Sequence, residues 1–341
     1  MRERKAVLAV TMGDPAGIGP EIAVKLFGSE SVYDSSLPLV VGHPVIMQKA
    51  VDLMGNKVRV NVISNVADAK FEHGVMNVFD IGGEDVESIQ YGQVSAAAGD
   101  LAFRSVTTAI DLAMNKLVDG TVTGPIHKES INKAGHKFAG HTEIYAQYTG
   151  TKKYAMLLVE ENFKVIHVST HVSLRQACDL VKKDRVLEVI HLIHNGLRSL
   201  NIENPRIGVA GLNPHASDGG LFGTEDSEEI LPAVLQAQKE GLNVEGPIPP
   251  DTLYAMAYGG KYDGCVAMYH DQGHIPFKVI GFNWDQETKK MKSVKGVNIT
   301  MGLPIVRTSV DHGTAFEIAG KGIASPDALF HAIEYAVKLT N

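Results

Sequence analysis

Three apolar runs in this chain each lead into a histidine. KVIHVSTH carries one to His171, RIGVAGLNPH a second to His215, and CVAMYH a third to His270. Neutral imidazole is the commonest nitrogen ligand of zinc and similar divalent ions, and a set of three leaves positions open for substrate oxygens. In open α/β proteins ligands bind outside the carboxyl ends of the strands, so histidines at three such ends can converge. One strand-end histidine alone reads as a hydrogen-bonded loop residue; the recurrence is what points to a metal. His167 alternates with His171 but falls inside the strand, which reads as packing. His274 follows His270 by four residues and reads as a loop residue. Asp271 is placed to orient an imidazole as a supporting carboxylate.

Residues that could hold an anion accompany this set. Gly140, His141 and Thr142 precede a helix-like run, where Thr142 could cap the helix and the same backbone geometry suits a phosphate. The bland alternative is a plain helix start. Lys278, Asn298 and Arg307 stand among apolar or glycine neighbours, and a positive charge in such company needs a partner that a doubly charged substrate can supply. Two glycine-rich loops are also present. TMGDPAGIGPEI follows the first strand, with glycines at 13, 17 and 19, so the GxGxxG spacing of a Rossmann fingerprint fails. Pro20 and Glu21 suit a first helical turn after it, and Gly13 and Asp14 lie in the loop. DHGTAFEIAGKGIASP, with His312, Gly313 and Thr314, is the second.

The elements that position these residues follow from the apolar pattern. Strand-like runs cover 7–11, 39–41, 121–123, 164–168, 206–210 and 265–268, and helix-like segments cover 21–27, 96–118, 184–199, 227–240 and 326–339. Their alternation predicts βαβ units around a mostly parallel sheet. The 341 residues suffice for about two domains. With 44% hydrophobic and 21% charged residues the composition is that of a soluble globular chain. A net charge of -7 without a basic block argues against a nucleic-acid surface. Cys178 and Cys265 form neither a disulfide framework nor a CxxC motif, so a reducing cytoplasm is expected. The basic N-terminus reads as a first strand and not a signal peptide, and no apolar stretch is long enough to span a bilayer. The polar stretch 283–295 reads as a solvated surface loop.

With these motifs in view, the chain resembles the 4-hydroxythreonine-4-phosphate dehydrogenase (PdxA) family over essentially its full length. The resemblance rests on TMGDPAGIGPEI, TGPIHKESINKAGHKFAGHTE, STHVSLR, GLNPHASDGGLFGTE, GPIPPDT, AMYHDQGHIPFK and GVNITMGLPIVRTSVDHGTA. It implies an α/β fold similar to isocitrate and isopropylmalate dehydrogenases, with two α/β/α domains and the active site in the cleft between them. Residues 1–125 plus 275–341 would form the cofactor-side domain, and 126–274 the metal, substrate and dimerisation domain. It further implies one divalent metal on His171, His215 and His270, with Zn2+ favoured over Mg2+, Mn2+ or Co2+. Substrate contacts would come from His141, Thr142, Lys278, Asn298 and Arg307. The site would be shared across a homodimer. NAD or NADP would meet Gly13, Asp14, His312, Gly313, Thr314 and Ser325; Ser325 stands where decarboxylating relatives carry asparagine.

Members of the family oxidise the C3 hydroxyl of a four-carbon acid phosphorylated on C4. One branch acts on 4-phosphooxythreonine on the way to pyridoxal phosphate, the other on 4-phospho-D-threonate or 4-phospho-D-erythronate. YAMLLVEENFKVIHVSTH and YHDQGHIPFK look more like the second branch, TGPIHKESINKAG like the first. The stretch 283–295 departs from the spacing of both. Asp251, Lys278 and a metal-bound water are the candidates for the base that takes the hydroxyl proton. A zinc hydrolase would also use three histidines, but the HExxH helix is absent. A phosphometabolite sensor without turnover is the non-enzymatic alternative, and the retained histidine set argues against it.

Overall fold

The computed structural model describes residues 4–55, 57–83, 86–281, 284–287, 290–291 and 296–340. Its strands, in chain order, are β1 (Ala6–Thr11), β2 (Ser36–Gly42), β3 (Arg59–Ile63), β4 (Val75–Asp80), β5 (Gly120–Thr123), β6 (Ala155–Glu160), β7 (Phe163–His167), β8 (Ile207–Ala210), β9 (Val244–Ile248), β10 (Gly264–Ala267), β11 (Trp284–Asp285), β12 (Lys290–Met291), β13 (Val297–Met301) and β14 (Val306–Val310). Its helices are α1 (Gly19–Phe27), α2 (Val32–Ser35), α3 (Pro44–Met54), α4 (Ala96–Met114), α5 (Lys128–Lys133), α6 (His141–Tyr148), α7 (Leu174–Leu180), α8 (Lys183–Ser199), α9 (Leu231–Lys239), α10 (Pro250–Tyr258), α11 (His270–Gly281) and α12 (Asp327–Thr340). The expected α/β class is met, and no described helix is long and apolar enough to cross a membrane.

Two compact units emerge. The first holds Met1–Thr151, Ser293–Val297 and Leu303–Asn341. Its strands run in the order β3-β4-β2-β1-β5-β14, and each pairing is parallel. Burial on both faces explains why β1 and β2 read as nearly continuous apolar runs. The second unit holds Lys152–Lys292 and Asn298–Gly302, with strand order β13-β6-β7-β10-β8-β9. There β6 and β7 form an antiparallel hairpin, while β7, β10, β8 and β9 are parallel.

The unit boundaries differ from the sequence expectation, which divided the chain at 125/126 and 274/275. Residues 126–151 pack in the first unit: Ile131, Ile144 and Tyr145 share a core with Phe103, Val106 and Ile110 of α4. Residues 275–292 fall in the second, because Phe277 of α11 is buried with Phe163 and Cys265. Apolar burial decided both placements. Of the polar stretch 283–295, residues 284–285 and 290–291 pair as a short antiparallel ladder, so this part is not the plain loop expected. Residues 283, 288–289 and 292–295 lie outside the described residues.

Candidate active site

In the second unit, β7 ends on His167, which is 1% exposed and faces the Met156 carbonyl through Nδ1 at 3.2 Å. Burial, with the neighbouring His274 next in importance, lowers its pKa to about 3, so it stays neutral. The reading of His167 as a packed residue holds. His171 follows on the exposed loop before α7. His270 does not close a strand as expected: β10 stops at Ala267, and His270 opens helix α11. The ring of His274 stacks on that of His270, with centroids 3.6 Å apart and planes at 10°. His274 is therefore a helix residue, not a loop one, and its Nδ1 donates to the His270 carbonyl at 3.0 Å. Gly273 lets α11 lie this close, since a Cβ there would stand 2.4 Å from His167 Nε2. Burial and then the His270 ring push the His274 pKa down to about 4.

Asp271 takes the supporting place expected of it, accepting from His270 Nδ1 at 2.7 Å and leaving Nε2 for another partner. The His171 and His270 rings lie 6.0 Å apart. Two imidazoles that share one ion at Zn–N lengths of ~2.0–2.1 Å stand about 5–6 Å apart, so this pair fits a metal. Both rings border a recess of about 520 Å³, with Thr170, Leu174, Gln176 and Tyr269 among its walls. His215 does not join them. It lies five residues past β8 near Phe222, and no three His, Cys, Asp or Glu side chains are gathered to hold a metal among the described residues.

The turn that carries His215 is unusual. Residues 215–219 all have positive φ, between 44° and 71°, although four of them carry side chains. Such residues each cost roughly 1–2 kcal/mol, so the turn needs a firm hold. Asp226, 1% exposed, supplies it: it accepts from the Leu212 amide at 2.8 Å, the Asn213 side chain at 2.9 Å and Ser217 Oγ at 2.5 Å. Helix α10 lies against this turn, with Asp251 exposed in its first helical turn. Lys278 is half-buried on α11, one turn beyond His274. Asn298 sits in β13 with a buried Oδ1 that has no hydrogen-bond partner among the described residues.

In the first unit, Arg307 of β14 pairs in register with Thr121 of β5 and is 2% exposed. Its Nη2 donates to Thr123 Oγ1 at 2.9 Å, and its guanidinium lies over the Tyr145 ring at 5.6 Å. Burial holds its pKa down at about 10, partly countered by Tyr145 and Glu143. Tyr145 is fixed in turn by donating to Thr121 Oγ1 at 3.0 Å. His141 begins α6, and Gly140, not Thr142, occupies the cap, without a side-chain capping bond. The amides of the first turn are thus not used by a capping side chain, which the extended Gly140 leaves uncovered. The His141 Nε2 is buried with no partner among the described residues, and burial reinforced by Arg307 lowers its pKa well below the ordinary value. A neutral imidazole, a guanidinium and a helix N-terminus are groups chemically suited to an anion.

The two glycine loops meet within this unit. The Ile18 amide donates to the Thr314 carbonyl at 3.0 Å, and a Cβ on Gly17 would stand 2.9 Å from Thr314. Glu21, fully buried, accepts the Gly320 amide and, at 2.9 Å, the Gly322 amide. Of the residues expected to meet the cofactor, Gly13 (φ 75°), Asp14 and Thr314 are internal parts of this brace. Burial raises the Asp14 pKa, with the Ala16 amide, Ser130 and His127 pulling the other way. Gly313 and Ser325 are exposed and His312 is half-buried, and Ser325 Oγ accepts the Asp327 amide at 3.2 Å. Sequence reasoning missed Glu21's role, Tyr145 and Asp226; only the rarity of a polar group between apolar residues could have marked them.

Comparison with known proteins identifies the family. Residues 34–336 match the family described as pyridoxal phosphate biosynthetic protein PdxA. The chain is 45% identical to a D-threonate 4-phosphate dehydrogenase of Pectobacterium atrosepticum, covering 98% of this chain and 99% of that protein. It is 44% identical to the protein of that name from Salmonella typhimurium, covering 99% of each. A crystal structure of 4-hydroxythreonine-4-phosphate dehydrogenase from Klebsiella pneumoniae superposes with a TM-score of 0.86 at 42% identity, covering 99% of this chain and 100% of that one. The chain belongs to the PdxA family. The relatives share the class of oxidoreductases acting on a CH–OH group, and this chain falls within it.

Proposed function

We propose that the chain is a metal-dependent, NAD- or NADP-linked dehydrogenase of D-threonate 4-phosphate or its erythronate epimer. NAD or NADP, when bound, would supply the acceptor for the hydrogen on C3, while a base of the protein would take the proton of the C3 hydroxyl. The resulting β-keto acid loses CO2, and protonation at C2 gives dihydroxyacetone phosphate. The observation that carries this reading is the buried Arg307 beside His141 at the start of α6, a receptor suited to a phosphate. The relatives named for D-threonate 4-phosphate support this substrate. Oxidation of 4-phosphooxy-L-threonine is the second reading, favoured by the name of the Klebsiella pneumoniae structure.

His171 and His270 would hold the divalent ion, Zn2+ before Mg2+, Mn2+ or Co2+, and His215, which stands apart from them in this structure, would have to approach to serve as third ligand. When bound, such an ion supplies Lewis acidity toward the hydroxyl and the charge that develops as CO2 leaves. Asp271 fixes the His270 tautomer. Arg307, His141, Thr142, Asn298 and Lys278 would bind the substrate, and Asp251 or Lys278 would take the proton. Gly13, Asp14, His312, Gly313, Thr314 and Ser325 would form or brace the cofactor loop. We further infer a homodimer whose subunits both contribute to the site, testable by mixing two inactive variants. The decisive assay follows NADH or NADPH formation with the three phosphorylated acids side by side in metal-replete buffer. Fastest turnover of 4-phospho-D-threonate or 4-phospho-D-erythronate is expected; turnover of none refutes the function.

A further inference from the structure

His136 lies in the loop between α5 and α6, and α4 grips its imidazole twice. The ring lies flat on that of Phe103, with centroids 3.7 Å apart and planes at 10°. Its Nε2 donates to Asp100 Oδ1 at 2.9 Å. Asp100 in turn faces Arg104 at 3.9 Å, one helical turn on, and Arg104 donates to the Ile81 carbonyl at 2.7 Å. The rest of the loop is fastened around this clasp. The His136 amide donates to the Ile131 carbonyl at 3.0 Å, and Asn132 Nδ2 donates to the Phe138 carbonyl at 3.1 Å. The Phe138 ring also meets that of Phe103, with centroids 5.7 Å apart. All of these residues belong to the first unit.

The loop ends at Gly140, where α6 begins. The body of α6 has its own anchor, because Tyr145 is buried, donates to Thr121 and lies beneath the Arg307 guanidinium. The entry to the helix has less to hold it. Gly140 has no side chain to cap the first turn, and His141 Nε2 has no partner among the described residues. Tyr145 stands one turn beyond His141, so a tilt of α6 about that anchor moves His141 and the first amides relative to Arg307. The chain entering the helix must oppose that tilt. The residue type at 136 is demanding, since a flat ring must cover Phe103 while its edge donates to a carboxylate, which neither phenylalanine nor an amide side chain does. We propose that His136, oriented by Asp100, is a positioning residue for the anion-binding end of α6, holding His141 and the first-turn amides in place against Arg307. The inference rests on the phosphate reading given above. The engaged face and edge of the His136 ring meet α4, so it acts through the loop backbone.

The test compares full-length wild type, His136→Ala, His136→Phe and Val78→Ala. H136A removes the ring and its bond, whereas H136F keeps the stack on Phe103 and donates nothing to Asp100. Val78 lies in β4 at 0% exposure, so its truncation costs stability away from the clasp. Affinity for inorganic phosphate is read by calorimetry and stability by thermal unfolding without ligand. KM and kcat are taken with whichever of the three phosphorylated acids turns over fastest. H136A is expected to weaken phosphate and raise KM about 10-fold with kcat within ~2-fold, since a misplacement of ~1 Å costs up to ~100-fold and the lost contacts serve binding. H136F should fall between H136A and wild type, and V78A should lower the melting temperature with phosphate affinity and KM unchanged. Wild-type phosphate affinity and KM in H136A, or an equal loss of both in V78A, would overturn the positioning role. If H136A does not fold, H136F against V78A decides. A wild-type chain that binds no inorganic phosphate refutes the anion reading itself.

Discussion

Replacing Arg307 with methionine separates a binding role from a structural one. Arg307 is 2% exposed and its pKa is held down at about 10, well below the ordinary guanidinium value, chiefly by burial. A base whose folded pKa is depressed carries its charge at a cost at every pH below that value, so the cost is fully present at pH 7. That depression corresponds to a cost of about 3 kcal/mol, at ~1.4 kcal/mol per tenfold change in the ionisation constant. Methionine removes that cost and forfeits the bond to Thr123, about 1 kcal/mol, and the cation beside Glu143. The metal- and ligand-free variant should therefore be as stable as wild type or more so by up to ~2 kcal/mol, a rise in Tm of a few degrees. Binding should move the opposite way. Two charge-assisted bonds to a phosphate are worth roughly 3–6 kcal/mol, so KM should rise ~100-fold or more. The assay is thermal unfolding with and without inorganic phosphate, beside steady-state kinetics. A variant that loses several degrees without ligand yet still gains stability from phosphate would show that Arg307 serves the core and not the anion.

His141 is neutral at pH 7 because burial and Arg307 lower its pKa, so the unfolded chain takes up the proton first. The stability linked to it is present above pH ~6.5 and is lost as pH falls toward the depressed folded value. His141→Asn should accordingly show a shallower fall in urea midpoint between pH 6.5 and 4.5; an unchanged slope would refute this. Glu21→Gln puts an NH2 group where one of the Gly320 and Gly322 amides now finds a carboxylate oxygen. A loss of about 1–3 kcal/mol and faster tryptic cleavage after Lys321 are expected, read by denaturation and mass spectrometry. Cys265 is fully buried with a thiol pKa raised by that burial, whereas Cys178 is half-buried. Iodoacetamide should label Cys178 first under native conditions, and equal rates would contradict the burial of β10.

The sequence carried the α/β class because strands buried on both faces leave long apolar runs, as in β1 and β10. It carried the histidines for the same reason, since each follows such a run. Less was legible where the signal is short-range and mixed. HDQGHIPFKVIG holds a glycine and a proline, which mask a helix that becomes evident once Phe277 is buried and Gly273 rides over His167. Propensity favours Thr142 as a cap of α6, while the backbone gives that position to Gly140. The place of residues 126–151 in the first unit has no sequence signal, because only three-dimensional packing shows Tyr145 against α4. That His215 stands apart from His171 and His270 has no sequence signal, as it depends on five consecutive left-handed residues.

The link between α1 and the loop of Gly320 and Gly322 also bears on the order of synthesis. Glu21 finds its amide partners 299 and 301 residues later in the chain. Arg307 likewise enters the first unit's sheet from the far end, on β14 beside β5. At ~5–20 residues per second, a ribosome needs roughly 15–60 s to deliver those groups after Glu21 has emerged. During that interval the nascent first unit holds a carboxylate in an apolar helix without its partners and a sheet edge at β5 without its neighbour. The second unit, lying mostly between, emerges before the first can close. A chaperone that shelters the open β5 edge would act in that window, and a chain truncated before 306 would never leave it.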